Sequence, residues 1–481
     1  MSKIRNYFHQ YQKIPVQAKA AMWFTICSVL QKGLHMLTMP LFTRILTTEQ
    51  YGLSTLYFAW MDIIVIFTSL KLASGVFNNG MIYYQEDRDR FQASMQGLST
   101  VSAILCMIIY FLFPAFFQKL LGLSPNLILS MLIYAFFYPS LLYWTARQRF
   151  EYRYIGFTLA TVGMSFVTTL VSVLFTFFED KGTMKIIGYV TAATAVNLVF
   201  YIYLFVRGKI FFHREYWTYA LKFNLPLIPH YLSMIILNQC DRIMIANMCG
   251  ETEAGIYGVA YTIGKTVLLF NSAITASFTP WMYEKLKTKR YEGIPGVSVS
   301  LFVLIAVLGA GVMLFAPEVI MIFATQEYMQ AVYAVPPITA GVFFTFVYNQ
   351  VSTVEFYYGK SKYIMVASVA GAILNLFLNY VAIQWFGFIA AAYTSMFCYI
   401  LFAVCHYFLM RLLCRKNGIS VNLFPGKRLA LLSAVMIIIT VGVNFFYQYN
   451  LIRYGLLLVM LGLTAMKRKK ILLLWNRMKE G

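Results

Sequence analysis

Residues Ala20–Phe42 read AAMWFTICSVLQKGLHMLTMPLF, an apolar run that contains a single fixed charge. A helix needs about 20 mostly apolar residues to cross the hydrocarbon core of a membrane. This run meets that length, and further runs of the same kind follow it along the whole chain. The predicted segments are 20–42, 53–77, 94–117, 125–146, 155–178, 185–206, 221–248, 254–280, 294–316, 331–354, 363–384, 387–410, 429–448 and 451–466.

The composition indicates a membrane protein. Of the 481 residues, 60% are hydrophobic and 12% are charged, whereas a soluble domain carries about 25% charged residues. Every loop between the apolar segments is short, so no hydrophilic stretch can fold as a separate domain. We therefore predict an all-α integral membrane protein with about 14 transmembrane helices.

The distribution of positive charge predicts the topology. A nucleic-acid-binding protein would concentrate its net charge of +21 on one soluble face, but here Lys and Arg lie in clusters between apolar runs. If the N-terminus is cytoplasmic, 29 Lys and Arg residues fall on the cytoplasmic side and 5 on the opposite side. The positive-inside rule then places both termini in the cytoplasm and excludes nucleic acid as a partner. The five outer residues are Arg44, Lys119, Lys181, Lys185 and Arg453.

Two short stretches suggest an internal repeat. Thr47–Leu53 reads TTEQYGL and Gly250–Ile256 reads GETEAGI, with an offset of six helices. Because the two copies are separated by an even number of helices, they have the same orientation in the membrane. Some transporters are built from such parallel repeats, with a substrate site between the halves. The alternative is that the two stretches match by chance. This pattern predicts a six-helix N-lobe (1–210), a six-helix C-lobe (211–412) and two further helices with a basic tail (413–481).

Charged residues inside the apolar segments are the candidate functional residues, because charges within a membrane are costly. Positive charges outnumber negative ones, which predicts a cationic lumen. Some of these residues also have structural interpretations: the longer cations can reach a headgroup layer, and the acidic groups can balance a lysine or bond to another helix. The cationic candidates are Lys32, His35, Lys71, Arg242 and Lys265, and the acidic ones are Asp62 and Asp241.

The sequence contains no set of residues typical of catalysis. The five histidines and seven cysteines have no metal-ligand spacing, and no glycine loop with a lysine could hold a nucleotide. Neither a metal nor a cofactor is expected.

Four motifs carry a resemblance to a known family. Pro40–Leu53 reads PLFTRILTTEQYGL, Glu86–Phe91 reads EDRDRF, and Cys240–Asn247 reads CDRIMIAN, followed by AGIY at Ala254–Tyr257. Together they resemble the polysaccharide-export branch of the multidrug/oligosaccharidyl-lipid/polysaccharide (MOP) exporter superfamily. The resemblance covers nearly the whole chain.

This resemblance implies a Wzx-type flippase in a bacterial inner membrane. Such proteins move undecaprenyl-diphosphate-linked oligosaccharide from the cytoplasmic to the outer leaflet by alternating access, for surface polysaccharide biosynthesis. The implied partners are that lipid, other membrane lipids, polysaccharide polymerase machinery and a coupling ion, H⁺ or Na⁺. Arg44 and Arg147 are the implied gate residues.

Two alternatives remain open at this stage. The first is another transporter of the same superfamily, either a peptidoglycan lipid-precursor flippase or a multidrug antiporter, although an exporter of cationic drugs would favour an acidic lumen. The second is an enzyme, a membrane-embedded polysaccharide polymerase, ligase or acyltransferase, although polymerases usually expose a large outer loop that this chain lacks.

The topology can be tested with reporter fusions. Because of the charge asymmetry, fusions at Lys181 and Glu251 should report an extracytoplasmic location, and fusions at Arg149 and Lys289 a cytoplasmic one. A reversed result at either cytoplasmic site would contradict the predicted orientation.

Overall fold

The computed structural model describes residues 15–359 and 361–466, which are helical almost throughout and contain no strand. Long apolar stretches favour helices in a membrane because a helix satisfies its own backbone hydrogen bonds. The helices are α1 (Val16–Ile45), α2 (Thr48–Ser69), α3 (Val76–Tyr83), α4 (Arg88–Leu112), α5 (Pro114–Leu121), α6 (Pro125–Phe150), α7 (Tyr154–Phe175), α8 (Lys181–Gly208), α9 (Arg214–Asn224), α10 (Ile228–Met248), α11 (Glu251–Gly264), α12 (Leu268–Lys287), α13 (Ile294–Leu314), α14 (Ala316–Phe323), α15 (Val335–Tyr357), α16 (Ser361–Phe386), α17 (Ala390–Lys416), α18 (Gly426–Phe446) and α19 (Asn450–Met466).

The predicted fold class is confirmed, and helix occupies every predicted apolar segment. Within the described ranges, ten helices are long and apolar enough to cross a membrane, or eleven if a bent pair is counted as one span. The bent pair joins the 3₁₀ helix Gln326–Tyr333 to α15 at an angle of 47°. The count of fourteen crossings stays a prediction.

Several predicted segments are interrupted, and in two of them the break lies far from any proline. The segment 53–77 ends as a helix at Ser69, and α3 begins only at Val76. Segment 254–280 is interrupted by a 3₁₀ turn at Lys265–Val267, between α11 and α12. Neither break contains a proline, and the first ends at Gly75, whose φ of +89° favours glycine.

Prolines lie at two of the helix boundaries. Pro226 lies in a 3₁₀ turn between α9 and α10, as a helix-breaking residue should. Pro336 and Pro337 lie in the first turn of α15. Backbone N–H groups in the first turn of a helix form no intrahelical hydrogen bond, so a proline there removes none.

The described helices divide into two compact units. The first runs to Leu46 and resumes from Leu53 to Ile235; the second comprises Thr47–Gly52 and the chain from Ile236 onward. The first unit has an aromatic core in which Phe77, Phe91 and Tyr143 are fully buried. The three-part division at residues 210 and 412 stays a prediction.

The second unit is stabilised by an ion pair and by a buried histidine–carboxylate pair as well as by an apolar core. Arg453 of α19 is 1% exposed, and its guanidinium donates to both carboxylate oxygens of Glu318, at 2.7 and 2.8 Å. His406 and Glu355, both fully buried, pair at 2.9 Å between α17 and α15. The first of these pairs fixes the C-terminal helix α19 to α14.

The two stretches of the proposed repeat meet within the second unit. A Cβ atom added at Gly52 would lie 1.7 Å from the carbonyl oxygen of Glu251, and one added at Gly255 would lie 2.2 Å from the carbonyl oxygen of Thr48. Gly52 corresponds to Gly255 in the repeat, and Thr48 to Glu251, so the contact is reciprocal. Only glycine permits this approach of the two backbones.

Replacing either glycine should separate these two helix starts. Cysteines at Thr48 and Thr252, in a protein whose native Cys249 is replaced by serine, should react with a short bifunctional thiol reagent. Adding Gly52→Ala or Gly255→Ala should lower the crosslinking yield several-fold, because the methyl group would overlap a carbonyl oxygen.

The matched control is Gly442→Ala in α18, where an added Cβ meets no atom within 4 Å. A yield that is equal in all three glycine variants would show that this contact does not hold the two segments together.

Candidate functional site

A cavity of about 390 Å³ lies within the first unit. Its polar lining comes from α2, from the turn after α2, and from one face of α6. Along α6 the lining residues follow at intervals of four, four, three and four, the spacing of a single helical face. They are Tyr134, Tyr138, Leu142, Thr145 and Arg149.

The charges in this cavity are predominantly positive. Asp62 projects from α2, Lys71 from the turn that follows it, and Arg149 from the last turn of α6. The guanidinium of Arg149 lies 4.6 Å from the centre of the Phe157 ring, a cation–π contact that leaves its N–H donors available. Two cations and one carboxylate give the cavity a net positive charge.

The second unit contains a smaller cavity of about 40 Å³, lined by α10, α11, α15 and α17. The ammonium group of Lys265 donates to the side-chain oxygen of Asn238 at 2.8 Å and to the hydroxyl of Tyr261. The Tyr261 hydroxyl in turn donates to the backbone carbonyl of Asn238 at 2.7 Å. Lys265 is therefore held at the helix break by neutral oxygens.

Asp241 borders the same cavity and is 3% exposed. Its carboxylate accepts hydrogen bonds from Tyr257 at 2.8 Å, from Asn379 at 2.7 Å and from Ser395 at 2.9 Å. The donors come from three different helices. Asp241 thus has the hydrogen bonds that a buried ionised carboxylate requires.

Arg242, next along α10, has different partners. Its guanidinium donates to the carbonyl of Asn238 at 3.1 Å and to the side chain of Gln239, and it lies 4.0 Å from the centre of the Tyr261 ring. Adjacent helical residues point about 100° apart, so Asp241 and Arg242 do not pair with each other.

The structure thus groups some predicted residues and separates others. Asp62 and Lys71 share the first cavity, and Asp241 and Lys265 share the second. The backbone of α1 carries Lys32 and His35, but their side chains lie outside the described residues. Arg44 is exposed in the last turn of α1.

Arg147, predicted as a gate residue, takes part in a network of ion pairs in the first unit. It pairs with Asp89 and, at 2.9 Å, with Glu151, and it donates to Gln92 at 3.0 Å. Arg207 binds the other oxygen of Asp89 at 2.8 Å. These contacts favour a structural role, in which Arg147 ties together the ends of α4, α6 and α8.

Sequence reasoning missed two charged residues. Arg149 was counted as a topology signal, although its spacing from Thr145 places it on the polar face of α6. Lys185 was counted only among the outer charges, at the start of segment 185–206. It lies in α8, is 8% exposed, donates to the Ser54 hydroxyl at 2.8 Å, and lies 4.5 Å from the centre of the Phe42 ring.

Proteins of known sequence show where the chain belongs. The polysaccharide biosynthesis protein family matches it over residues 18–285, more than half of its length. Two Haemophilus influenzae proteins are also similar. Lsg locus protein 1 is 23% identical, with 74% of this chain and 88% of that protein covered. An uncharacterized membrane protein is 23% identical, with 72% and 85% covered.

Solved structures share the fold. The lipid II flippase MurJ, in an inward closed conformation, aligns with a TM-score of 0.69 and 14% identity over 94% of this chain and 100% of that chain. An inward-facing multidrug resistance transporter of the MATE family and the MOP superfamily aligns with a TM-score of 0.57 and 15% identity, over 84% and 99% of the two chains.

The apolar helices define a multi-pass membrane protein, and its fold is the one shared by the solved flippase and the MOP-superfamily transporter. The chain belongs to the polysaccharide biosynthesis protein family.

The positive cavity of the first unit should bind an anion. In a variant carrying Ser74→Cys, a residue that lines the cavity, inorganic diphosphate should slow alkylation of the introduced thiol. Replacing Lys71 or Arg149 with alanine should weaken this protection by about tenfold each, the effect of losing one hydrogen bond between charged groups.

Lys119→Ala, which removes an exposed cation from α5, is the matched control and should leave the protection unchanged. Full protection in the variant lacking both Lys71 and Arg149 would show that the cavity does not bind anions through these residues.

Proposed function

We propose that the protein is a flippase for undecaprenyl-diphosphate-linked oligosaccharide. It moves the repeat units of a surface polysaccharide, such as capsule or O-antigen, from the cytoplasmic to the outer leaflet of a bacterial inner membrane. The observation that carries this proposal is the first cavity, where Lys71 and Arg149 accompany the single carboxylate of Asp62. A diphosphate requires fixed cations when it leaves water, because charge–charge interactions strengthen in a low dielectric.

The remaining lining suits the sugar part of such a substrate. Ser74 and Thr145 contribute hydroxyl groups, and Tyr134 and Tyr138 contribute phenol groups. Each hydroxyl can both donate and accept a hydrogen bond, as can each hydroxyl of a sugar. A volume of about 390 Å³ is within the range of ligand pockets, about 300–1,000 Å³, and fits the diphosphate with its first sugars.

Membership of the polysaccharide biosynthesis family supports this substrate class. A second candidate, a peptidoglycan lipid-precursor flippase, is favoured by the fold shared with the lipid II flippase. A multidrug antiporter for cationic compounds is disfavoured, because a positively charged cavity repels such compounds.

The proposed mechanism is alternating access between an N-lobe (1–210) and a C-lobe (211–412). The remaining part (413–481) would contribute two further helices and a basic tail, with both termini at the cytoplasmic side. In this proposal the cationic lumen comprises Lys32, His35, Lys71, Arg242 and Lys265. Arg44 is proposed as a gate residue. Polysaccharide polymerase machinery would take over the flipped lipid.

Asp241 is the proposed site for coupling transport to an ion gradient. A carboxylate buried within a membrane-spanning helix is typical of proton and cation relays. Asn379 and Ser395 donate hydrogen bonds to it, Asn375 donates to Ser395, and Thr394 donates to Asn379, so a polar network surrounds the carboxylate. Either H⁺ or Na⁺ could bind there, and the two are distinguished by the gradient that accelerates transport.

Purified protein in vesicles should translocate a fluorescent undecaprenyl-diphosphate oligosaccharide, measured as its accessibility to a membrane-impermeant lectin. The corresponding monophosphate lipid should cross more slowly, because it offers fewer charges to Lys71 and Arg149. An imposed H⁺ or Na⁺ gradient should raise the rate, and Asp241→Asn should remove this acceleration while retaining slow exchange.

Protein-free vesicles provide the baseline. A clear preference for lipid II would favour the second candidate. Absence of transport for both diphosphate lipids, by protein that is correctly folded, would show that the proposed function is wrong.

A further inference from the structure

The turn that carries Lys71 has an unusual backbone conformation. Leu70 and Lys71 have φ angles of +47° and +49°, in the left-handed region that residues with a Cβ atom seldom adopt. Two such residues in succession are strained, and the strain persists only where surrounding contacts enforce it. The side chain of Lys71 reaches the first cavity from this turn.

Polar side chains close to the turn satisfy its backbone groups. The hydroxyl of Ser69 accepts a hydrogen bond from the N–H of Lys71 at 3.2 Å and donates to the carbonyl of Val65 at 2.5 Å. The hydroxyl of Ser99 donates to the carbonyl of Ser69 at 3.4 Å. These contacts cap the end of α2, but none of them involves the carbonyl of Leu70.

The carbonyl of Leu70 is bound by a residue 154 positions away in the sequence. The side-chain amide of Asn224 donates to it at 2.6 Å. Asn224 is 1% exposed, and its own side-chain oxygen has no hydrogen-bond partner. A buried amide whose oxygen has no hydrogen bond lowers the stability of the folded protein. The hydrogen bond to the Leu70 carbonyl is therefore the contact that explains why an asparagine occupies this position.

The position of Asn224 is itself fixed by packing. It is the last residue of α9, and it follows Tyr216 and Ala220 at intervals of four along the buried face of that helix. Tyr216 and Ala220 pack in the aromatic core of the first unit with Phe77 and Phe91. The amide of Asn224 is therefore held against the turn by α9 as a rigid element.

We propose that Asn224 is the positioning residue for Lys71, holding the Leu70–Lys71 turn in its left-handed conformation so that the ammonium group stays in the cavity. The helix that carries Asn224 continues through the turn Leu225–Leu227 into α10, which passes into the second unit after Ile235. The hydrogen bond thus ties the cation to the connection between the units. This inference rests on the proposed function in one respect, the role of Lys71 as a substrate-binding cation.

The first test reads the position of residue 71 and does not involve transport. In a variant without native cysteines, Lys71→Cys reports the environment of this position through its rate of alkylation by a charged reagent. Adding Asn224→Leu, which removes the amide donor at similar size, should change that rate by about tenfold or more. Leu70→Gly should restore the original rate, since glycine adopts a positive φ without strain.

Asn271→Leu is the matched control. Asn271 is also buried and donates a side-chain hydrogen bond to a backbone carbonyl, that of Val342 at 3.3 Å, in the second unit. Its replacement should leave the alkylation rate unchanged. If Asn224→Leu cannot be purified, Asn224→Asp removes the same donor with no change in shape and carries the same expectation. An unchanged rate in the Asn224 variant would overturn the proposal.

The second test measures transport with Lys71 intact. Asn224→Leu should raise the half-saturating concentration of the diphosphate lipid by about tenfold, the effect of weakening one charge-assisted hydrogen bond, with a smaller effect on the maximal rate. Leu70→Gly should again reverse the change. A change in alkylation without any change in transport would retain Asn224 as the positioning residue and reject Lys71 as a substrate-binding cation.

Discussion

The constraint on which this structure depends is that a membrane interior offers a charged group no water. A charge buried there without a partner is unstable, so each must bring its own hydrogen bonds. Among the described residues, the fixed charges that are buried obey this rule: Lys185, Asp241, Glu355 and Arg453 each bond to a polar or charged side chain. The partners lie on other helices in every case, so the same bonds that satisfy the charges also fix how the helices pack.

The fold class and the apolar segments could be predicted from hydrophobicity. Each helix that crosses a membrane must itself be long enough and contain few charges, so both requirements can be read from a single stretch of sequence. The same reasoning found Asp62, Lys71, Asp241 and Lys265, which the structure places in two cavities. Arg149 was missed because positive charge at a helix end was taken only as a topology signal, although the helical spacing of α6 contained the information.

The left-handed turn at Leu70 and Lys71, directly after Ser69, could not be predicted from the local sequence. It has no proline, and the carbonyl of Leu70 is satisfied by Asn224, 154 residues later. Tertiary hydrogen bonds of this range leave no local pattern. The burial of Lys185 in α8 has the same origin, because a lysine near a helix end resembles a loop residue until its partner Ser54 is known.

Both cavities place a lysine at a break in a helix: Lys71 follows the end of α2, and Lys265 begins the 3₁₀ turn after α11. In an unbroken helix the backbone N–H and C=O groups form hydrogen bonds with each other. At a break, some backbone carbonyls lose these partners and must accept hydrogen bonds from side chains of neighbouring helices. Such a break is stable in a membrane only where donors are provided, and it changes conformation when they move. Under the proposed function, the protein must bind a charged substrate in one state and release it in another. The break that carries Lys71 meets that requirement, because its Leu70 carbonyl depends on Asn224 of α9, and a small shift of α9 would move the cation while the rest of α2 stays intact.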